Sequence, residues 1–351
     1  MSAAERLLED LAAIPSVSGQ EERACRHLRD TLPSLGWEEA FLDEVGNVVA
    51  TRGRGERELL LVGHVDTVPG GPPLRRDDRI LWGRGTVDAK GPLCALAVGG
   101  GRARLPEKWR LTFVGVVGEE RDSLGMRHRL SRHTPCGCVI GEPSGTDGVT
   151  LAYRGRLLLR LSARDGGAHR SGSSGPLTAC LRAAAAVLDE VELRDDKTAP
   201  LAARTSGSVA FMEGREEGAR HALVELDLRL PLGADPEEWT RNLEILATLQ
   251  QVELEVLDSV AAAERPKNDP AVLAFRTAVR SVLGTAPRLL AKGGTADFNL
   301  AAAWGCPLVA YGPGDSKLDH TDQERLNLDD LETATTVVER AIPAFTASER
   351  A

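Results

Sequence analysis

Nowhere in the sequence do apolar residues run for the ~18 consecutive positions a bilayer-crossing helix needs. The expectation is therefore a chain that does not cross a membrane and has no membrane partner. Its start, MSAAERLLEDLAAIPSVSGQEE, lacks a basic segment leading into an apolar block. Instead Leu7, Leu8, Leu11 and Ile14 are spaced as one face of an amphipathic helix, so the segment reads as mature, cytoplasmic sequence. No basic block offsets the formal net charge of −9, which argues against nucleic acid as a partner. The six cysteines, Cys25, Cys94, Cys136, Cys138, Cys180 and Cys306, have no framework spacing and read as free thiols. Cys136 and Cys138 lack a second Cys or His pair at zinc-finger spacing and read as small residues entering a buried strand. Internal repeats and low-complexity tracts are absent as well.

What is present is ordinary globular material, 42% hydrophobic and 27% charged, in a chain of 351 residues. The first half alternates helix and strand. Ser18 and Glu21 have the spacing of a capping box ahead of a helix that should stop before Pro33. GNVVATR, ELLLVG, RLTFVGVVG and GCVIG read as strands, and AKGPLCALAVGGGRARL and LGMRHRLSRH as helices. This predicts an α/β domain with helices on both faces of a sheet. From about Tyr153 the order becomes β-α-β-β-α-β, the ferredoxin-like arrangement. The fold class expected is thus a mixed-sheet α/β domain formed by residues 1–152 and 261–351, interrupted by an inserted α+β domain at 153–260.

LLLVGHVDTV, residues 59–68, reads as a buried strand that ends on His64 and Asp66. Glu119 and Glu120 follow a second strand in the same way, Glu142 follows a third, and Asp88 lies in the Gly-rich loop WGRGTVDAKG. Ligands of open α/β sheets bind beyond the carboxyl ends of strands, so these side chains can converge. His64, Asp88, Glu120 and Glu142, with His320 as the candidate fifth, are ligands of the kind a pair of zinc-like divalent ions takes. Five protein ligands fill two sites only if one carboxylate bridges, and Asp88 is the choice. Asp66 is expected to accept the other ring N–H of His64. Glu119 is left to take a proton from a water activated by the ions, the nucleophile for amide hydrolysis.

The ordered set GHVDTVPG, GRGTVDAKGPL, VGEE, IGEPS, GGTADFN and the late DHT resembles the co-catalytic zinc peptidases and deacylases, a family that includes desuccinylases, acetylornithine deacetylases and glutamate carboxypeptidases. The resemblance implies His64, Asp88 and Glu142 about one ion, Asp88, Glu120 and His320 about the other, Glu119 as general acid/base and Asp66 behind His64. The ions implied are Zn2+, with Co2+ or Mn2+ as substitutes. It further implies that the inserted domain is a lid and dimerisation domain, that His169 in GGAHRSG steadies the oxyanion, and that Arg229 with Gly293, Gly294 and Thr295 holds the substrate carboxylate. Two departures stand out: Arg220 and His221 occupy the stretch where relatives carry an asparagine, and Ala296 stands where a serine is common.

GEPSGTDGVTLAYRGR and VAYGPGDSKLDHTDQERL resemble the branch that releases lysine or ornithine from the γ-carboxyl of the C-terminal glutamate of an amino-group carrier protein. That reading implies a homodimer serving lysine or arginine biosynthesis, with an acidic carrier as substrate and Arg154, Arg156 and Arg170 as candidates for a positive rim. The alternatives are a deacylase of free N-acyl amino acids and a catalytically silent binding homologue.

Overall fold

The computed structural model of the chain describes residues 1–167 and 174–348. The strands, in chain order, are β1 Glu39–Leu42, β2 Val48–Arg52, β3 Arg57–His64, β4 Arg75–Asp77, β5 Ile80–Trp82, β6 Trp109–Val116, β7 Gly137–Gly141, β8 Gly148–Tyr153, β9 Gly155–Asp165, β10 Ser206–Arg215, β11 Arg220–Leu230, β12 Glu253–Val260, β13 Ala263–Glu264, β14 Arg288–Lys292, β15 Leu308–Ala310 and β16 Arg325–Asn327. The helices are α1 Ala3–Ala12, α2 Glu22–Thr31, α3 Lys90–Arg102, α4 Leu124–Leu130, α5 Pro176–Leu193, α6 Pro236–Leu249, α7 Pro270–Leu283, α8 Asp297–Ala301 and α9 Leu328–Thr346. Among the described residues, no helix is long and apolar enough to cross a membrane.

The described chain separates into two units, Met1–Leu151 with Arg265–Leu290 and Leu300–Ala351, and Ala152–Glu264 with Ala291–Asn299. The main sheet of the first runs β1-β2-β6-β3-β7-β15-β8, with β14 beside β8. Its centre is parallel: β3 pairs with β6 on one side and β7 on the other. Central parallel strands are covered on both faces, so they carry unbroken apolar runs rather than alternation. Leu59, Leu60, Leu61 and Val62 of β3 are all buried, each such side chain contributing about 1.5–3 kcal/mol by leaving water.

Helix α3 is apolar all round and buried for nearly its whole length, which explains its glycines. A Cβ on Gly99 would lie 2.7 Å from the Thr335 carbonyl oxygen of α9, and one on Gly101 only 2.0 Å from the Leu35 oxygen. The helix tolerates the poor propensity of glycine because any side chain there would separate it from its neighbours. A small sheet, β16-β5-β4, lies apart from the main one and had no signal in the sequence. Its strands are three residues each, too short for a period to declare itself.

The second unit is the β-α-β-β-α-β arrangement, its antiparallel sheet ordered β10-β11-β9-β12. Leu157, Leu159 and Leu161 alternate inward on β9 and meet Cys180, Ala183, Ala184 and Val187 of α5. Segment Ala291–Asn299, placed by sequence with the outer stretches, groups here instead. The reason is polar: Asn299 Nδ2 donates to the carbonyls of Arg154 and Ala261, and the Gly293 carbonyl accepts from Arg154 Nε at 2.7 Å.

Candidate metal centre

Three adjacent parallel strands of the first unit end side by side, and the register sets His64 of β3 beside Val116 of β6, and Gly63 beside Gly141 of β7. His64 is the last residue of β3, Glu119 and Glu120 sit in the turn after β6, and Glu142 directly follows β7. Asp88 comes from the loop before α3, and His320 from the loop before β16.

His64 Nε2 lies 3.2 Å from Asp88 Oδ1 and 4.0 Å from Glu142 Oε1. His320 Nε2 lies 3.0 Å from Asp88 Oδ2 and 3.0 Å from Glu120 Oε1. The two oxygens of Asp88 thus face two different imidazole–carboxylate pairs. His64, Asp88 and Glu120 each offer a ligand atom within 4.8 Å of the other two. His64 is buried and His320 exposed, the latter in the left-handed backbone region at φ 60°, where few non-glycine residues sit.

The electrostatics have one theme. Burial disfavours a charged His64, yet the carboxylates of Asp66 and Asp88 and the charge of Glu119 raise its pKa well above the ordinary value. Hydrogen bonds to Asp88 and Glu120 push His320 up to about 10. Burial, then the charge of Asp88, raises Glu120, while His320 and His64 overcome the burial of Asp88 and hold it far below the usual carboxylate range. The crowded carboxylates raise both imidazoles, the mark of a region short of positive charge. A divalent cation supplies that charge, and the nitrogen and oxygen donors suit zinc-like ions, so the residues fit such a group.

Asp66 acts differently from expectation. His64 Nδ1 is 2.9 Å from the main-chain oxygen of Asp66, whereas its carboxylate Oδ1 is 3.6 Å away. The carboxylate instead accepts the N–H groups of Glu119 and Glu120, both at 3.1 Å, and the Ser18 hydroxyl at 2.6 Å. Ser18 is therefore not a helix cap: α2 begins at Glu22, and its capping residue Glu21 makes no side-chain cap bond. Glu21 Oε1 accepts from Gly118 N at 3.2 Å, so Glu21 reaches the turn that bears Glu119 directly and Ser18 reaches it through Asp66. Their spacing was visible in the sequence, but local chemistry could not reveal that distant partners take the hydrogen bonds. Ser18→Ala should lower kcat by about 10-fold, the low end for partners of metal-site residues, with metal content unchanged; steady-state assay beside elemental analysis checks both.

In the second unit, Arg229 Nη1 donates to Thr295 Oγ1 at 3.0 Å and Nη2 to Asp227 Oδ2 at 3.2 Å, which brings two expected substrate-binding residues together. Gly293 and Gly294 precede Thr295 in the same segment. Arg154 is no surface cation: it is buried and donates to the carbonyls of Gly293 and Arg204. Arg156 is paired with Asp227 at 3.0 Å and Asp258 at 3.8 Å. Neither supplies a free positive rim, because Arg154 is buried against main-chain oxygens and the charge of Arg156 is matched by two aspartates. Buried Arg220 forms a two-pronged pair with Asp165 across β11 and β9, His221 is exposed, and Ala296 is buried. His169 and Arg170 lie outside the described residues.

A model of peptidase family M20/M25/M40 matches residues 60–344. The chain belongs to this family. It is 34% identical to a LysW-lysine hydrolase of Deinococcus radiodurans, over 97% of this chain and 96% of that protein. It is 37% identical to a protein of Pyrococcus abyssi provisionally named for both LysW-lysine and LysW-ornithine hydrolysis, over 92% and 88% of the two chains. Among solved structures, an M20 family metallo-carboxypeptidase of Sulfolobus solfataricus superposes with a TM-score of 0.82 at 18% identity, covering 99% of this chain and 100% of that one, which shows the shared fold. The metal-centre motifs from Leu60 through His320 all fall within the stretch matched by the family.

Proposed function

We propose that this family member is a cytoplasmic, binuclear metal-dependent amide hydrolase. It releases L-lysine, L-ornithine or both from the γ-carboxyl group of the C-terminal glutamate of an amino-group carrier protein. The observation that carries the chemistry is Asp88, whose two oxygens face His64 with Glu142 and Glu120 with His320. The names of the relatives, matched over nearly the whole chain, support the substrate.

His64, Asp88 and Glu142 would hold one ion and Asp88, Glu120 and His320 the other, with zinc first and cobalt or manganese as substitutes. Bound ions of this kind polarise a carbonyl and lower the pKa of water to roughly 7. Glu119 takes a proton from the attacking water as the water oxygen bonds to the amide carbon. When the C–N bond breaks, Glu119 returns that proton to the departing α-amino nitrogen. Asp66 keeps Glu119 in place through its main-chain N–H. His169 is assigned to the carbonyl oxygen as charge develops there, and Arg229 with Gly293, Gly294 and Thr295 to the substrate carboxylate.

Carrier-linked lysine, carrier-linked ornithine and free acetylornithine, assayed in parallel for released amino acid, test the assignment. Free lysine or ornithine should appear from the carrier-linked substrates. A higher kcat/KM for acetylornithine would replace the carrier reading with the deacylase one, and no release from any of them, with metal bound, would favour a silent homologue.

We also propose a homodimer joined through β10. This strand is an edge of its sheet and is exposed along its length, with Val209, Phe211 and Met212 about half accessible at 50%, 48% and 53%. A long apolar edge is a template for pairing with a second chain. Val209→Lys with Phe211→Lys should shift the protein from dimer to monomer in sedimentation analysis without lowering helix and strand content; a dimer that persists removes β10 from the interface.

A further inference from the structure

Glu324 had no part in the sequence reading and is not among the groups that face the metal centre, yet it is fully buried. A carboxylate leaves water at high cost unless every lone pair is used. Here Oε1 accepts the main-chain N–H of Val87 at 3.0 Å and of Asp88 at 3.1 Å. Oε2 accepts from Arg84 Nη1 at 2.5 Å, which also neutralises the charge. The main-chain oxygen of Glu324 takes the N–H of Gly83 at 3.3 Å. One residue thus ties down both ends of the loop from Gly83 to Asp88, and it belongs to the same short segment as His320.

The arrangement matters because Asp88 must present two oxygens in two directions at once. A bridging carboxylate turned by a few tenths of an ångström favours one neighbour at the expense of the other, so its backbone needs a fixed reference. The hydrogen bond to Asp88 N gives that reference directly, and the one to Val87 N fixes the peptide plane before it. The loop has ties of its own, with Thr86 N and Thr86 Oγ1 both donating to the Gly83 oxygen, so Glu324 grips a preformed turn rather than a slack segment.

We propose that Glu324 is a positioning residue for the metal centre: with its charge matched by Arg84, its carboxylate sets Asp88 by holding the N–H groups of Val87 and Asp88, and so couples the placement of Asp88 to that of His320. This rests on the metal-centre reading given above. The active element is the acceptor oxygen facing the two N–H groups, and the ion pair with Arg84 serves to make a buried carboxylate tolerable there.

Charge-balanced variants separate these roles. Glu324→Gln with Arg84→Leu removes both charges and keeps an acceptor oxygen; Glu324→Ala with Arg84→Leu removes both charges and the acceptor. The full-length proteins, stripped of metal with a chelator, are titrated with Zn2+ against a chromophoric competitor and with Co2+ by its visible absorption, and their folding is followed by circular dichroism. The Gln/Leu protein should bind metal about 10- to 100-fold more tightly than the Ala/Leu protein, the range that loss of a partner to a metal ligand costs, and should give a Co2+ spectrum of wild-type shape. Equal affinities in the two folded proteins overturn the proposal. If either is unfolded, Glu324→Asp decides: it keeps the charge but is one methylene too short to reach both N–H groups, so about 10-fold weaker metal binding is expected, and wild-type affinity overturns the role. Wild-type protein that takes up neither metal removes the metal-centre reading itself, an outcome distinct from equal binding by the variants.

Discussion

Glu119→Gln should lower kcat by about 10²–10⁴-fold, the range that a positioned general acid/base contributes, and leave metal content at the wild-type level. The substitution keeps size and shape, so nothing in the turn after β6 has to move. The main-chain N–H of Glu119 remains on Asp66 Oδ1, and Glu120, whose side chain meets His320 at 3.0 Å, remains beside it. What disappears is a carboxylate able to carry a proton from water to a departing amine. The neighbour cannot substitute, because its own carboxylate is engaged with the imidazole. Because the change touches the proton and not the binding groups, KM should move far less than kcat. Steady-state kinetics with elemental analysis on the same preparation checks the prediction; a wild-type kcat would give the proton transfer to another group, and loss of metal would make Glu119 a ligand.

The parts of this centre that were readable in sequence share one physical origin. A parallel strand buried on both faces must be a short apolar run, and the residue just beyond it lies at the carboxyl end of the sheet, where ligands bind. That logic located His64, Glu119, Glu120 and Glu142 from β3, β6 and β7 without any knowledge of which strands were neighbours. Asp88 and His320 come from irregular loops, where periodicity is silent; Asp88 stood out through its Gly-rich loop ahead of a helix and His320 as the histidine that follows the last strand legible in the sequence. What escaped were side chains whose hydrogen-bond partners lie far along the chain. Ser18 finds Asp66, Glu21 finds Gly118 and Glu324 finds Val87 and Asp88, and in each case the sequence shows a polar residue with a plausible local partner or none. Two arginines of the expected rim are engaged within the fold for the same reason: Arg154 donates to the carbonyls of Gly293 and Arg204, and Asp227 and Asp258, brought beside Arg156 by strand pairing, are remote from it in sequence.

Asp66→Asn should depress kcat by about 10- to 100-fold, and the loss should persist when metal is saturating. Two accounts of this residue predict different things. If its carboxylate served mainly to orient His64, the variant would bind metal weakly and recover its turnover once metal was supplied in excess. The geometry favours the other account, since the ring nitrogen of His64 is held by the main-chain oxygen at 2.9 Å and that bond survives the substitution. The carboxylate itself is buried, which opposes its ionisation, but the nearby imidazole of His64, the Ser18 hydroxyl and the N–H of Glu120 hold its pKa below the ordinary value. It stays an acceptor at both oxygens, one for Glu119 N and one shared by Glu120 N and Ser18. An asparagine keeps one acceptor and turns an NH2 group toward a main-chain N–H, so one donor is left buried without a partner, at a cost of about 1–3 kcal/mol. The turn then loses its fixed direction, and Glu119 loses its alignment with the attacking water. Ser18→Ala acts through the same carboxylate, so combining it with Asp66→Asn should cost clearly less than the two single losses added together. Additive losses would place Ser18 and Asp66 in separate roles, and a turnover restored by excess metal would return Asp66 to its place behind His64.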